Sequence, residues 1–241
     1  MDFFGKVAII TGASVGIGRA TAAELAKSGC KVVITDIDKD KLKDTENDVM
    51  KYSNEYLSLF CDVSDENNVK DVVSRTLEKF GKVDILVNNA GLWRRYIPFD
   101  ETDSSMWKKY IDVNILGTMY FSHAVLKTMK ENKYGRIINL TSVAGVYGNA
   151  NMVDYSMTKG AMIAFTKALA KEVAEYGITV NGVAPGTVSN EYNTFEPNEL
   201  NYSKRSGLHS ENAKLIAFLA SDDAAYINGQ NYQIDGCRKK I

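Results

Sequence analysis

"KVAIITGASVGIG", residues 6–18, is the stretch on which the fold turns. Its first half is a β-branched run, apolar enough to be buried on both faces. Its second half is a glycine-rich turn that opens onto "RATAAELAKSG" (19–29), where Ala20, Ala23, Leu25 and Ala26 recur at helical spacing and Gly29 ends the pattern. A strand buried on both faces needs helices above and below its sheet. Five further runs repeat the signal: "KVVITD" (31–36), "YLSLFC" (56–61), "DILVNN" (84–89), "RIINLT" (136–141) and "ITVNGVA" (178–184), with "NYQID" (231–235) as a last strand. Between them, "NNVKDVVSRTLEKFG" (67–81) carries an apolar stripe of Val69, Val72, Val73, Leu77 and Phe80 that Gly81 stops. This alternation predicts an α/β fold, a doubly wound parallel sheet of about seven strands with helices on both faces. Three prolines and no low-complexity segment mark no boundary, so one domain is expected over 1–241.

Composition narrows the function classes. Hydrophobic residues make up 45% of the 241, charged residues 24%, and the net charge is −1, so binding to nucleic acid through counterion release is not expected. No run approaches the eighteen uninterrupted apolar residues of a membrane span. "MDFFGKVAII" has an acid at position 2 and no basic segment, and reads as the first strand of a domain rather than a signal peptide. Cys30, Cys61 and Cys237 are odd in number and widely spaced, and His123 and His209 are isolated. Thiols in a reducing, cytoplasmic compartment are the expectation, and no metal site is.

The glycine turn has its own chemistry. Gly12 permits the tight turn, Gly16 a close backbone approach and Gly18 close helix packing, while the helix start offers N–H groups to a pyrophosphate. By itself the turn reads equally as a plain β–α connection. Asp36 follows Gly18 by eighteen residues, near where an acid binds an adenosine ribose; alternatively it opens a turn in "DIDKDK". A carboxylate ~4 Å from a 2′-phosphate would oppose it by about 4 kcal/mol per unit charge at an effective dielectric of about 20. Val15 puts no base in the glycine turn, and Lys39, Lys41 and Lys43 belong to the next segment, so NAD(H) is expected over NADP(H). "YSMTK" (155–159) sets Tyr155 four residues before Lys159, on one helix face. A cation there would lower the phenol pKa from roughly 10 and make a general acid–base; an exposed i,i+4 pair is the plain alternative.

With Gly12, Gly16, Gly18, "NNAG" (88–91), Ser142 thirteen residues before Tyr155, and Lys159, the chain resembles the short-chain dehydrogenase/reductase family from "KVAIITG" to "FLAS" (218–221) and "NGQNYQIDG" (228–236). The resemblance implies a Rossmann-type fold and metal-free hydride transfer between NAD(H) and a small alcohol or ketone. It makes Tyr155 the acid–base and Lys159 the residue that tunes it and holds the nicotinamide ribose. Ser142 becomes the hydroxyl on the substrate oxygen, and Asn114 the asparagine whose backbone holds a water linking Lys159 to solvent. Asp62 and Val63 fall beside the adenine. Ser14 and Ile17 fall in the glycine turn, Asn89, Ala90 and Gly91 support the cofactor, and Pro185 and Gly186 pass the nicotinamide. Relatives associate through the helix containing "GAMIAFTKALAKEVAEYG" (160–177), whose apolar residues cover more than one face, so a homo-oligomer, a tetramer, is expected.

Departures concern the substrate. The segment 187–206, with Asn190 where relatives commonly carry threonine, is shorter than usual and reads as a small or mobile lid. In "LWRRYIPF" (92–99), Arg94 or Arg95 could meet an anionic substrate, with Trp93 and Tyr96 as apolar wall, or the arginines are simply solvated. "RKKI" at the end reads as a solvated tail. The layout is closest to 3-oxoacyl-[acyl-carrier-protein] reductases, but the two basic carrier-binding positions fall on Lys133 and Tyr176, and only the first is basic. Two alternatives to a general NAD-linked alcohol dehydrogenase therefore stand: a carrier-protein reductase, and an NAD(H)-binding sensor without turnover.

Overall fold

The computed structural model describes residues 1–93 and 96–239. Seven strands form one sheet: β1 (Val7–Thr11), β2 (Lys31–Asp36), β3 (Tyr56–Phe60), β4 (Ile85–Asn88), β5 (Gly135–Leu140), β6 (Ile178–Pro185) and β7 (Asn231–Ile234). Their order is β3-β2-β1-β4-β5-β6-β7, and every neighbouring pair is parallel. Strand order therefore reverses between β1 and β4, which opens a crevice at their carboxyl ends.

Side-chain alternation divides the core. Ile10, Ile34 and Ile138 point to one face, where α1 (Gly16–Lys27), α2 (Lys39–Met50) and α8 (His209–Ala220) cover them with Leu25, Leu42 and Ile216. Ile9, Val33 and Ile137 point to the other, beneath α3 (Glu66–Phe80), α5 (Gly117–Asn132) and α7 (Val153–Val173), which supply Val72, Phe121 and Leu169. The seven expected strands and the α/β architecture are present with ends shifted by a residue or so.

Three elements depart from the sequence reading. "DIDKDK" is not only a turn: the Asp38 carboxylate accepts from the Lys41 amide at 3.1 Å and caps α2. That helix buries only Leu42, Thr45 and Val49, too sparse a stripe for periodicity to expose. Between α4 (Ser104–Tyr110) and α5 the chain runs through a π-helical segment, Ile111–Leu116. The segment after β6 contains no helix; it is a compact loop closed by Gly207 N to the Thr187 carbonyl at 2.9 Å and Ser206 N to the Glu196 carbonyl at 2.8 Å. A small or mobile lid was the expectation; the loop is small, and Tyr192 packs it against the domain. Its ring stacks on His209, centroids 5.4 Å apart, and the Arg19 guanidinium lies 4.7 Å from its centre.

Candidate active site

The carboxyl ends of β1 and β4 are tied together by side chains. The Thr11 hydroxyl accepts from the amides of Asn89 and Ala90, each at 3.0 Å. Asn89 Nδ2 donates back to the carbonyls of Thr11 at 2.9 Å and Gly12 at 2.8 Å. The turn tolerates nothing larger than glycine at two points. A Cβ on Gly12, which sits at φ +61°, would lie 2.7 Å from Ala90 Cα, and one on Gly18 would lie 2.3 Å from the Gly12 carbonyl oxygen. Helix α1 starts at Gly16 with neither a capping side chain nor an acidic residue in its first turn. Its N–H groups and positive dipole end are thus free for an anion, and the tight glycine cradle fits a pyrophosphate.

Next to the cradle lies one end of a cleft of about 1060 Å³, lined by Asp36, Asp62, Val63 and Ala90 among others. The Asp36 carboxylate accepts from the amides of Ser14 at 3.1 Å and Asp38 at 3.0 Å, which fixes it at the rim. Lys41 shares this cleft and feels the Asp36 charge, but its ammonium pairs with Asp38 at 3.0 Å; Lys43 pairs with Asp40 at 3.0 Å, and Lys39 lies over the Phe60 ring. Asp62 accepts from the Ser64 amide and hydroxyl at 2.9 and 2.6 Å, holding the turn that presents Val63.

At the other end a second cleft of about 400 Å³ shares Ile17, Asn89, Gly91, Leu92, Trp93 and Val188 with the first. Ser142, Tyr155, Lys159, Pro185 and Gly186 line it. Ser142 caps α6 (Val143–Tyr147) by accepting from the Ala144 amide at 3.1 Å, and its hydroxyl is hydrogen-bonded to that of Tyr155. Lys159 is buried on α7 and donates to the Leu140 carbonyl at 2.6 Å; its Nζ is 5.8 Å from the centre of the Tyr155 ring. Asn114, in the π-helical segment, joins the loop after β4 to α7. Its Oδ1 accepts from Leu92 N at 2.7 Å, while its Nδ2 donates to Leu92 O at 3.2 Å and Thr158 Oγ1 at 3.1 Å. Gly91 lies between them: a Cβ there would be 3.4 Å from both Asn114 Oδ1 and Lys159 Nζ.

The electrostatics reverse one expectation. Burial, only partly countered by the Ser142 hydrogen bond, pushes the Tyr155 phenol up to about 12. Burial alone pulls the Lys159 ammonium down to about 8. The two groups share a helix face, as the spacing implied, and removal from water favours the neutral form of each.

Other site residues fall where sequence reasoning did not put them. Asn190 lines the smaller cleft, but its amide donates to Glu196 Oε2 at 3.2 Å within its own loop. Trp93 and Tyr96 line the wall as expected, whereas Arg94 and Arg95 lie outside the described residues. The terminal segment is not a solvated tail as far as residue 239: Arg238 pairs with Asn201 in an antiparallel bridge and lines the smaller cleft. No local pattern marks it, because its neighbour in space is 37 residues away in sequence. Among the described residues no three His, Cys, Asp or Glu side chains could hold a metal ion, and no helix is long and apolar enough to cross a membrane.

A parallel sheet with this strand order, a glycine cradle at its switch point, and Ser142, Tyr155 and Lys159 at one cleft define a dinucleotide-linked oxidoreductase fold. The short chain dehydrogenase family model matches residues 6–200, and the chain belongs to that family, whose members bind a nicotinamide dinucleotide. It is 40% identical over 237 residues to a 3-oxoacyl-[acyl-carrier-protein] reductase of Synechocystis, covering 96% of each chain. To the Escherichia coli protein of the same description it is 38% identical over 252 aligned positions, covering 98% of each. The crystal structure of levodione reductase superposes with a TM-score of 0.91 at 33% identity, covering 97% of both chains.

Lys159 should leave a signature in stability. Its folded pKa lies below its unfolded value, so the unfolded chain binds the extra proton between pH ~8 and ~10.5, and stability should rise across that window. Below about pH 8 the buried charge opposes folding in full. Lys159→Met should therefore be more stable than the parent by about 2 kcal/mol at pH 7 in urea unfolding, with the gap narrowing above about pH 8 and closing toward about pH 10.5. A gap that is absent at pH 7, or constant with pH, would contradict the buried-charge assignment.

Proposed function

We propose that this chain is an NAD(H)-linked oxidoreductase that interconverts a secondary alcohol and its ketone without a metal. The observation that carries the reading is the meeting of Ser142, Tyr155 and Lys159 in a cleft continuous with the glycine cradle. When bound, the dinucleotide supplies or accepts the hydride at carbon. Gly12, Ser14, Gly16, Ile17 and Gly18 would hold its phosphates, Asp36 its adenosine ribose, and Asp62 and Val63 its adenine. Asn89, Ala90 and Gly91 form the floor between the two halves. Lys159 would hold the second ribose, and Pro185 with Gly186 would flank the nicotinamide. The chain's own residues do the rest. Ser142 and Tyr155 donate hydrogen bonds to the substrate oxygen, where negative charge grows during reduction. Burial keeps the Tyr155 phenol protonated, which is the form that gives its proton to that oxygen. Alcohol oxidation needs the phenolate, and therefore added positive charge beside the ring or higher pH. Asn114 positions the site by latching Leu92 to α7.

The Asp36 carboxylate, fixed at the rim by two amides, supports NAD(H) over NADP(H). A second reading, reduction of 3-oxoacyl thioesters on a carrier protein, is supported by the names of the relatives and by two lysines beside the expected carrier surface. Lys133 ends α5, and Lys130 Nζ lies 4.8 Å from the centre of the Tyr176 ring. We place the chain as one catalytic domain with residues 187–206 as its substrate loop, in a cytoplasmic compartment where Cys30 and Cys61 remain free buried thiols. Exposed apolar residues on α5 and α7, Met119, Val153 and Met157, support a homo-oligomer, with a tetramer as the expected state.

Three measurements test these assignments. With one alcohol, kcat/KM should be at least tenfold higher with NAD than with NADP; the reverse order would overturn the role of Asp36. Tyr155→Phe should still bind dinucleotide yet lose at least about two decades of kcat, and an almost unchanged kcat would remove Tyr155 from the chemistry. Light scattering at micromolar concentration should give a multiple of the chain mass, and a single-chain mass would rule out the oligomer.

A further inference from the structure

Two cations and no described carboxylate line the smaller cleft. Around its 400 Å³ the charged side chains among the described residues are Lys159 and Arg238. Lys159 is deep and committed to the Leu140 carbonyl. Arg238 is half-buried at the mouth, and among the described residues no carboxylate lies within 4.0 Å of its guanidinium. The nearby bases differ in this respect: Lys239 approaches Glu199 at 3.8 Å, and Arg205 pairs with Glu211 at 2.7 Å.

Its placement is built by the backbone. After β7 the chain reverses through Gly236 and Cys237, both left-handed at φ +63° and +60°. Asp235 is taken up by that turn, accepting from the Cys237 amide at 3.0 Å, and is not left to pair with Arg238. The returning strand is then fixed to the substrate loop on both sides of Arg238. Tyr202 N donates to the Cys237 carbonyl at 3.0 Å, Ser203 N to that of Gly236 at 3.1 Å, and Lys239 N to that of Leu200 at 3.0 Å. A guanidinium so held, facing a small cleft without an acid of its own, is arranged to take an anion from outside.

We infer that Arg238 is a specificity-determining residue that binds the carboxylate of the substrate, so that the alcohol or ketone turned over is a small hydroxy or oxo acid. The inference rests on the dehydrogenase reading, in which Ser142 and Tyr155 hold the reacting oxygen of the same molecule. A planar guanidinium matches the two oxygens of a carboxylate in a forked pair. One such cation balances a single negative charge, which suits a carboxylate better than a phosphate dianion. The cleft volume sits at the lower end of ligand sites and in the proposed reading also takes the nicotinamide, which favours a small acid.

The test uses the purified full chain, with 2-oxobutanoate and 3-oxobutanoate as probes, each beside its methyl ester, and the 3-oxobutanoyl thioester of N-acetylcysteamine. Reduction should favour an acid over its ester by at least about tenfold in kcat/KM. Arg238→Gln should lower that acid-to-ester ratio by about 10- to 100-fold, mainly through KM of the acid, and Arg238→Lys should restore part of it. In the Tyr155→Phe background, quenching of tryptophan fluorescence by the oxo acid reports binding without turnover, since Trp93 lines the cleft. There Arg238→Gln should raise the acid's Kd by about tenfold or more. A parent enzyme that prefers ester or thioester, an Arg238→Gln protein that slows acid and ester alike, or an unchanged Kd would each overturn the proposal. Efficient reduction of esters alone would do so while leaving the dehydrogenase reading intact. Arg238-dependent binding of the acid with no turnover by the parent protein would instead defeat the dehydrogenase reading.

Discussion

One side-chain knot organises this molecule: Asn89, at the end of β4, donates through its amide to the carbonyls of both Thr11 and Gly12 at the end of β1. Parallel strands leave their terminal carbonyls to be satisfied by whatever follows, and at a switch point the connections depart to opposite faces. Without a bridge the crevice would expose two frayed strand ends. With it, the glycine turn and the "NNAG" turn become one surface, close enough that Cβ atoms at Gly12 and Gly18 are excluded. The cradle at one end and Gly91 at the other are therefore consequences of one contact. Gly91 in turn leaves room for Asn114 Oδ1 and Lys159 Nζ to converge beside it.

Lys159 occupies an unfavourable place for a charge. Among the described residues it donates to the Leu140 carbonyl and no acid accompanies it. A fold selected for stability alone would put an apolar residue there, since a buried ion without a partner opposes folding by several kcal/mol before relaxation. The surroundings nonetheless hold the lysine in one position. Thr158, its neighbour on α7, accepts from Asn114, and just after the π-helical segment that carries Asn114 the first residue of α5, Gly117, packs over Val63, where a Cβ would come within 2.8 Å of Val63 Cγ2. Rigid support for an energetically poor group is what a binding or reacting role requires, and packing alone gives no reason for it.

Much of this was legible in the residue order, for physical reasons that also mark where legibility stops. Strands such as "VAIIT" and "KVVITD" announce themselves because burial on both faces leaves no polar position to disguise the run. Helix α3 could be read because its stripe is regular and Gly81 closes it in a left-handed cap. Helix α2 could not, since its contribution to the core is two apolar residues and a threonine that donates to the Ala13 carbonyl at 2.7 Å. Tyr155 and Lys159 were found from spacing, which fixes a shared helix face. Their pKa values were not, because spacing carries no information about depth, and depth decides the sign. Arg238 and Tyr192 were missed for a third reason: each acts through a neighbour that only the tertiary fold supplies.

Among the described residues, one end of the cleft carries acids beside Lys41, Lys108 and Lys109, whereas the other carries cations alone. Asp36 stands at the first end, its carboxylate aligned by the amides of Ser14 and Asp38. The middle has no capping side chain on α1 and is positive through the helix dipole, while the far end carries Lys159 and Arg238. A ligand that is hydroxyl-rich at one end, anionic in the middle and accompanied by a second anion at the other end matches this sequence of potentials in one direction only. Reversing it would set an anion against Asp36 and leave two cations facing neutral hydroxyls. In the proposed reading, orientation of the dinucleotide and choice of substrate charge both draw on these groups, and altering Arg238 would change the second without touching the Thr11–Asn89 knot.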